Sequence, residues 1–210
     1  MSSRRRSPAL PALALAGALF LGACSAADPG RAGDAPPRPT GTGTATVAGT
    51  GSGTGLTPPG SRLRLGQSAV VSYAAGAGEG RVRIAVDQIE RGAPEDLTEL
   101  DLGEQAEGYV PYYVRFSVTG VAGSRTMADR SINESVRGVL DDGAAAQTLY
   151  VIGDWDHCTA VTFPSGFRDG RSISSCVPYL AREPRAVAAA QYAPPTGAYS
   201  NAEGSPVTWR

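Results

Sequence analysis

The densest chemistry in the chain lies in Asp154-Trp155-Asp156-His157-Cys158, which places two carboxylates and the single histidine within five residues. On an extended loop Asp154 and Asp156 point the same way and could share a cation, with His157 as a nitrogen ligand. The rest of a calcium loop is missing, and no second histidine or nearby glutamate completes a zinc set. The competing reading is a solvated loop beside a cysteine. A metal or small-ligand site at Asp154, Asp156 and His157 is therefore the alternative expectation, not the leading one. An envelope hydrolase ranks below it, because no Gly-x-Ser-x-Gly elbow presents a nucleophile to the lone histidine. The run Asp96, Glu99, Asp101, Glu104, Glu107 reads as a solvated connection rather than a paired-carboxylate active site. Asp141-Asp142-Gly143 reads as a turn, since Asp-Gly suits positive φ. Tyr109, Tyr112 and Tyr113 cluster around Pro111 and form a candidate interaction surface, although some of them must lie in a core. No catalytic residue and no cofactor is expected.

Cysteine chemistry sets the topology. Arg4, Arg5 and Arg6 precede an apolar run from Ala9 to Leu21. That run is shorter than the roughly twenty residues a spanning helix needs, and with its basic flank it reads as a secretory signal peptide over residues 1–23. It ends in Leu21-Gly22-Ala23-Cys24, a bulky residue, two small ones and a cysteine. This is the bacterial lipobox, cut after Ala23 with lipid added to the Cys24 sulfur. The alternative is an ordinary signal peptide cut near Ala23, with Cys24 incidental. Ser3-Arg4-Arg5 also hints at twin-arginine export, but Ser7-Pro8 stands where an apolar residue is usual, so the export route stays open. The chain has three cysteines, and lipidation of Cys24 leaves Cys158 and Cys176 as a pair in an oxidising compartment. A disulfide there would contribute about 3 kcal/mol by constraining the unfolded chain. Two free thiols, buried or reactive, are the alternative, and the spacing is too wide for a Cys-x-x-Cys redox motif.

The 210 residues contain no lysine, so all 19 basic residues are arginine, and Gly (27) and Pro (16) are abundant. This composition suggests a high-GC, actinobacterial genome. Without Arg4 to Arg6 the mature chain holds 16 arginines against 20 acidic residues, a net charge of −4. That argues against nucleic acid as a partner and against electrostatic adhesion to anionic lipid, leaving the acyl chains on Cys24 as the contact with the membrane. Residues 24–60 are mostly Gly, Thr, Ala, Pro and Asp, with a near Gly-Thr repeat from Thr40 to Thr57. So few large apolar side chains cannot offset ordering entropy, and the segment reads as a disordered tether.

The elements that must position these groups begin at residue 61. Leu63 and Leu65 flank Arg64, and Ala69 to Tyr73 reads as a strand. Gly76 to Gly80 reads as a turn. Val82, Ile84 and Val86 alternate with polar or small residues. Tyr112, Val114, Phe116 and Val118 alternate with Tyr113, Arg115, Ser117 and Thr119 in the clearest strand signal. Ala93 to Leu97 opens a connection with room for one helical turn. Ser135–Leu140, Gln147–Ile152, Ser174–Arg182, Ala186–Tyr192 and Pro206–Trp209 complete seven to eight short strands. The Ala-rich segment favours helix intrinsically, but Pro184 and Pro194-Pro195 bound it, and strand is preferred. The expectation is an all-β, antiparallel sandwich over residues 61–210.

Three stretches, Leu63 to Val71, Tyr112 to Thr119 with the later cysteine pair, and Val207-Thr208-Trp209, resemble a group of actinobacterial lipoproteins. Those proteins carry an immunoglobulin-like domain of unknown function. The pattern is also similar to a small secreted mycobacterial antigen with an immunoglobulin-like sandwich. The resemblance implies an immunoglobulin-like β-sandwich of about seven to eight strands and carries no catalytic residues. Where such domains follow the central strand with Asn-x-Gly, this chain has Gly120-Val121-Ala122-Gly123. The leading functional expectation is a lipoprotein, not an enzyme, anchored by diacyl and palmitate-type chains at the outer face of the cell membrane. It presents an interaction module to an envelope protein or glycan. About 150 residues are too few for the two lobes of a solute-binding subunit.

Overall fold

The computed structural model describes residues 55–75 and 78–210. The signal peptide, Cys24 and the tether as far as residue 54 lie outside the described residues, as do residues 76 and 77 in the expected Gly76–Gly80 turn.

Alternating apolar residues produce two packed sheets. One has the order β1 (Arg62–Leu63), β9 (Val207–Trp209), β8 (Val187–Tyr192), β5 (Val136–Leu140). The other runs β2 (Ser68–Ala75), β3 (Gly78–Arg91), β4 (Tyr109–Ala122), β7 (Ser172–Arg182), β6 (Gln147–Thr148). The all-β sandwich is therefore the fold. Every strand pairing is antiparallel except β1 with β9, which is parallel. The Ala-rich segment is strand β8.

The main core fills the space between the sheets. Val82, Ile84 and Val86 of β3 meet Tyr112, Val114, Phe116 and Val118 of β4, with Tyr192 and Trp209 from the other sheet. Three of the buried aromatic residues place their polar tips on backbone acceptors. Tyr179 Oη donates to Val136 O, Tyr192 Oη to Ser72 O, and Trp209 Nε1 to Gln67 O. The first two of these bonds run from one sheet to the other.

Both sides of the sandwich are closed by segments that change sheets. Thr57 donates its N–H to Val70 O of β2 and accepts from Val70 N–H through Oγ1, after which the chain enters β1 on the opposite sheet. Pairing with the sheet is thus already present at Thr57, before the expected boundary at 61. On the other side, Leu140 N–H bonds Ala144 O and Ala146 N–H bonds Gly138 O, and the chain then crosses to β7 as β6. The expected strand Gln147–Ile152 pairs only over Gln147–Thr148. Beyond it the backbone leaves the sheet. The segment Gly120-Val121-Ala122 continues β4, and the turn comes at Gly123, whose φ of 71° opens a 3-10 turn over Ser124–Met127.

Candidate functional site

Part of the outer face of the five-stranded sheet carries a second small core. Residues of β4 and β7 that point away from the main core, Tyr113, Cys176 and Leu180, are covered by Leu97, Leu149, Trp155 and Cys158. Two segments form the cover. The first is a 3-10 helix, Pro94–Leu100, with proline at its start and Asp96 accepting the Ala93 N–H at 2.9 Å. This is the acid's half of a capping box, an N3 carboxylate reaching back to the N–H of the N-cap residue, with proline at the first helical position. Its Leu97 is the apolar plug. The second is the loop after β6, fixed at one end by Leu149 N–H on Pro178 O and at the other by the Cys158–Cys176 disulfide, Cα–Cα 5.2 Å. The two expected partner cysteines are therefore joined.

Where the two segments meet, polar groups converge on His157. Tyr113 Oη donates to Asp96 Oδ2 at 2.7 Å and Trp155 Nε1 donates to Glu99 Oε2 at 3.1 Å. His157 Nδ1 lies 3.9 Å from Asp96 Oδ2, and its Nε2 lies 3.5 Å from Glu99 Oε1. The imidazole stacks on the Tyr113 ring with centroids 5.9 Å apart. Arg115 holds the backbone by donating to His157 O at 2.8 Å and is itself paired to Glu90. Gly92 is required beneath this group, since a Cβ there would stand 2.6 Å from Asp96 Oδ2 and 2.8 Å from Tyr113 Oη. Burial pushes the Asp96 carboxyl up, but the bonds from Tyr113 and Ala93 and the nearby imidazole outweigh it and hold Asp96 below the usual carboxylate value. Burial, reinforced by the Asp96 carboxylate, pushes the Tyr113 phenol well above its usual value.

This arrangement locks a loop. Asp96 Oδ2 already accepts two bonds, and the side chains around His157 are acids and aromatics, none of them an activated nucleophile. The expected set of Asp154, Asp156 and His157 does not converge. Asp154 and Asp156 are exposed on either side of buried Trp155, while His157 turns to Asp96 and Glu99. Among the described residues no three His, Cys, Asp or Glu side chains are placed to hold a metal ion. The Trp155 ring is needed in the second core, and that fixes both flanking aspartates outward. Asp96 and Glu99, read as part of a solvated run, are the residues that sequence reasoning missed. The available signals were Pro94 before an acid at a capping position and the isolated Leu97.

The tyrosine surface also needs correction. Tyr112 and Tyr113 are 6% and 2% exposed, one in each core, so neither offers a face to a partner. Tyr109 is half-buried beneath the Arg182 guanidinium, 4.3 Å from its ring centre. Of the four exposed large apolar side chains among the described residues, Leu56, Leu65, Tyr150 and Ile152, the two most exposed sit on the clamped loop: Tyr150 is 82% exposed and Ile152 fully so. Beside them runs a groove of about 590 Å³ lined by Leu149, Tyr150, Asp154, Trp155, Val177 and Tyr179 among others.

No family model matches the chain, and no curated protein does. Among solved structures it is similar to a secreted protein of Mycobacterium tuberculosis, MPT63. The identity is 13%, the TM-score 0.47, and the match covers 74% of this chain and 99% of that one.

Proposed function

We propose that the chain is a lipid-anchored cell-surface protein whose immunoglobulin-like domain is a non-catalytic interaction module. On this reading it belongs with the actinobacterial lipoproteins that its strand pattern resembles. The supporting observation is the loop from Leu149 to Cys158. Both its ends are buried, one held by the Leu149–Pro178 hydrogen bond and the other by the disulfide, yet it holds Tyr150 and Ile152 in solvent. Large apolar side chains are exposed in this way at a cost, and a patch of them next to a groove marks an interaction surface. A loop fixed before binding loses little entropy when it docks. The lipobox supplies the anchor: no described helix is long and apolar enough to cross a membrane.

Two measurements test the reading. In cells fed an alkyne fatty acid, the wild-type chain becomes labelled and fractionates with the membrane, while Cys24→Ser is unlabelled and released. A labelled Cys24→Ser protein refutes the anchor. A photo-crosslinking residue at Tyr150 yields discrete crosslinked species at the cell surface, and the same residue at exposed Ala188 on the opposite sheet yields none. Equal crosslinking at the two positions, or none at either, refutes the module.

A further inference from the structure

We infer that the loop 149–157 docks onto a protein partner whose surface pairs an apolar cleft with basic side chains. This rests on the interaction-module reading and names the chemistry of the partner. Tyr150 and Ile152 lie two residues apart in an irregular stretch, with half-buried Val151 packed on the second core between them. In extended chain that spacing sends both side chains to one side. They form a pair of apolar prongs held by Leu149, Trp155 and the Cys158–Cys176 bridge.

Charge selects the partner. The segments 94–108 and 147–160 carry eight carboxylates and no arginine. They are brought together at the Trp155–Glu99 and His157–Asp96 contacts. Asp154 lines the groove beside Tyr150, where Glu134 and Arg137 offset each other, and Asp156 follows two residues on; both aspartates are exposed. An acidic rim around an apolar centre steers and orients a basic partner. The same rim opposes an anionic lipid surface. Strand addition at the β7 edge is disfavoured too. Pro178 has no N–H to offer, its carbonyl accepts Leu149 N–H, and Cys176 N–H is taken by Thr159 O. The prongs, not the backbone, must carry recognition. Tyr150 offers a ring on which a sugar could stack, but Ile152 beside it does not, and the surrounding carboxylates favour a basic protein surface over a neutral glycan.

The test pans a displayed random-peptide library on the full mature chain carrying Cys24→Ser, so that acyl chains do not intervene. Enriched peptides are then measured against that protein and two further variants, Tyr150→Ala/Ile152→Ala and Asp154→Asn/Asp156→Asn. All four positions are surface side chains, and circular dichroism confirms that each variant is folded. The proposal expects enriched peptides to join Arg or Lys to an aromatic or branched apolar residue. It expects the prong variant to lose roughly tenfold or more in affinity. The charge variant should lose severalfold, as should the parent on going from about 50 to about 500 mM salt. Neutral or acidic binders that still need the prongs overturn the basic partner and leave the module standing. Binders indifferent to the prongs, or no binders, overturn both. Prong-dependent attachment to phosphatidylglycerol vesicles, or prong-dependent self-association in sedimentation, overturns a protein partner in favour of membrane or a second copy.

Discussion

Asp96 shows how one side chain can join three levels of structure. It caps the 3-10 helix through Ala93, accepts from Tyr113 on β4, and faces His157 on the loop. Its side chain is 17% exposed, so these bonds are only partly screened. Hydrogen bonds to a charged group contribute about 1.5–3 kcal/mol, and Tyr113→Phe is expected to lower stability toward the bottom of that range in urea unfolding. The pH dependence follows from the direction of the shift. The carboxyl is held below its ordinary value of 3.8, so the folded chain keeps it charged where the unfolded chain takes up a proton. Its stabilisation is complete above about pH 4 and is lost as the pH falls through the lower folded value. Asp96→Asn removes that part of the acid limb. A variant with the same acid dependence as the parent would show that Asp96 is not coupled to the fold. Pro94 and Leu97 hinted at a capped turn, but the rest was not legible in the chain, because a run of acids looks solvated until the contacts distant in sequence are known. The Asp154-Asp156 pair misled for the converse reason. Alternation set the two aspartates apart from Trp155, and with Trp155 buried both are left in solvent.

At the scale of elements, alternation was a sound guide wherever a strand has one face on the main core. β2, β3, β4 and β7 fall where Val, Ile, Phe and Tyr recur at every second residue. It was a poor guide where segments change sheets, since each half is too short to show a period. Residues 57–60 are Thr-Pro-Pro-Gly and show no strand period, yet Thr57 bonds Val70, Tyr199 Oη donates to Thr57 O, and Gly60 N–H donates to Ser205 O. A chain begun at residue 61 loses these bonds and bares the β2 edge, whereas one begun at residue 55 keeps them. At about 1 kcal/mol net for each bond, the shorter chain should unfold about 2–4 kcal/mol more easily, and equal midpoints would refute the role of Thr57. The disulfide belongs to the same scale. Cys158→Ala/Cys176→Ala is expected to lower stability by up to about 3 kcal/mol. Its specific mark is faster amide exchange across 149–160 with β4 unchanged, since the bridge closes the loop over the second core. Uniform acceleration in β4 as well would mean that the bridge supports the whole sandwich and not the loop.

For the molecule as a whole, the sandwich is joined by tyrosines that must stay neutral. Tyr179 and Tyr192 bond across from one sheet to the other, Tyr199 ties down the entering chain, and Tyr73 donates to Ser131 O. Together with Tyr113, these are five of the eight tyrosines, and in each burial pushes the phenol above its ordinary value of 10.0. The folded chain therefore holds protons that the unfolded chain releases above that value. The stabilisation is complete below about pH 10 and is lost as the pH rises toward the folded values. Each tyrosine contributes at most about 1.4 kcal/mol per pH unit. The chain has no lysine, its paired cysteines do not titrate, and arginine stays charged, so tyrosine alone governs this limb among the side chains. Alkaline titration followed by tyrosinate absorbance should show some phenols ionising with the sheets intact. The remainder should ionise in one cooperative step that coincides with loss of the β-sheet signal. Tyr192→Phe should make that step shallower, because one fewer buried proton is released on unfolding. Reversible ionisation of all eight tyrosines in the folded chain would show that the hydroxyls reach solvent, and that the sheets are joined by shape and not by these neutral, bonded rings.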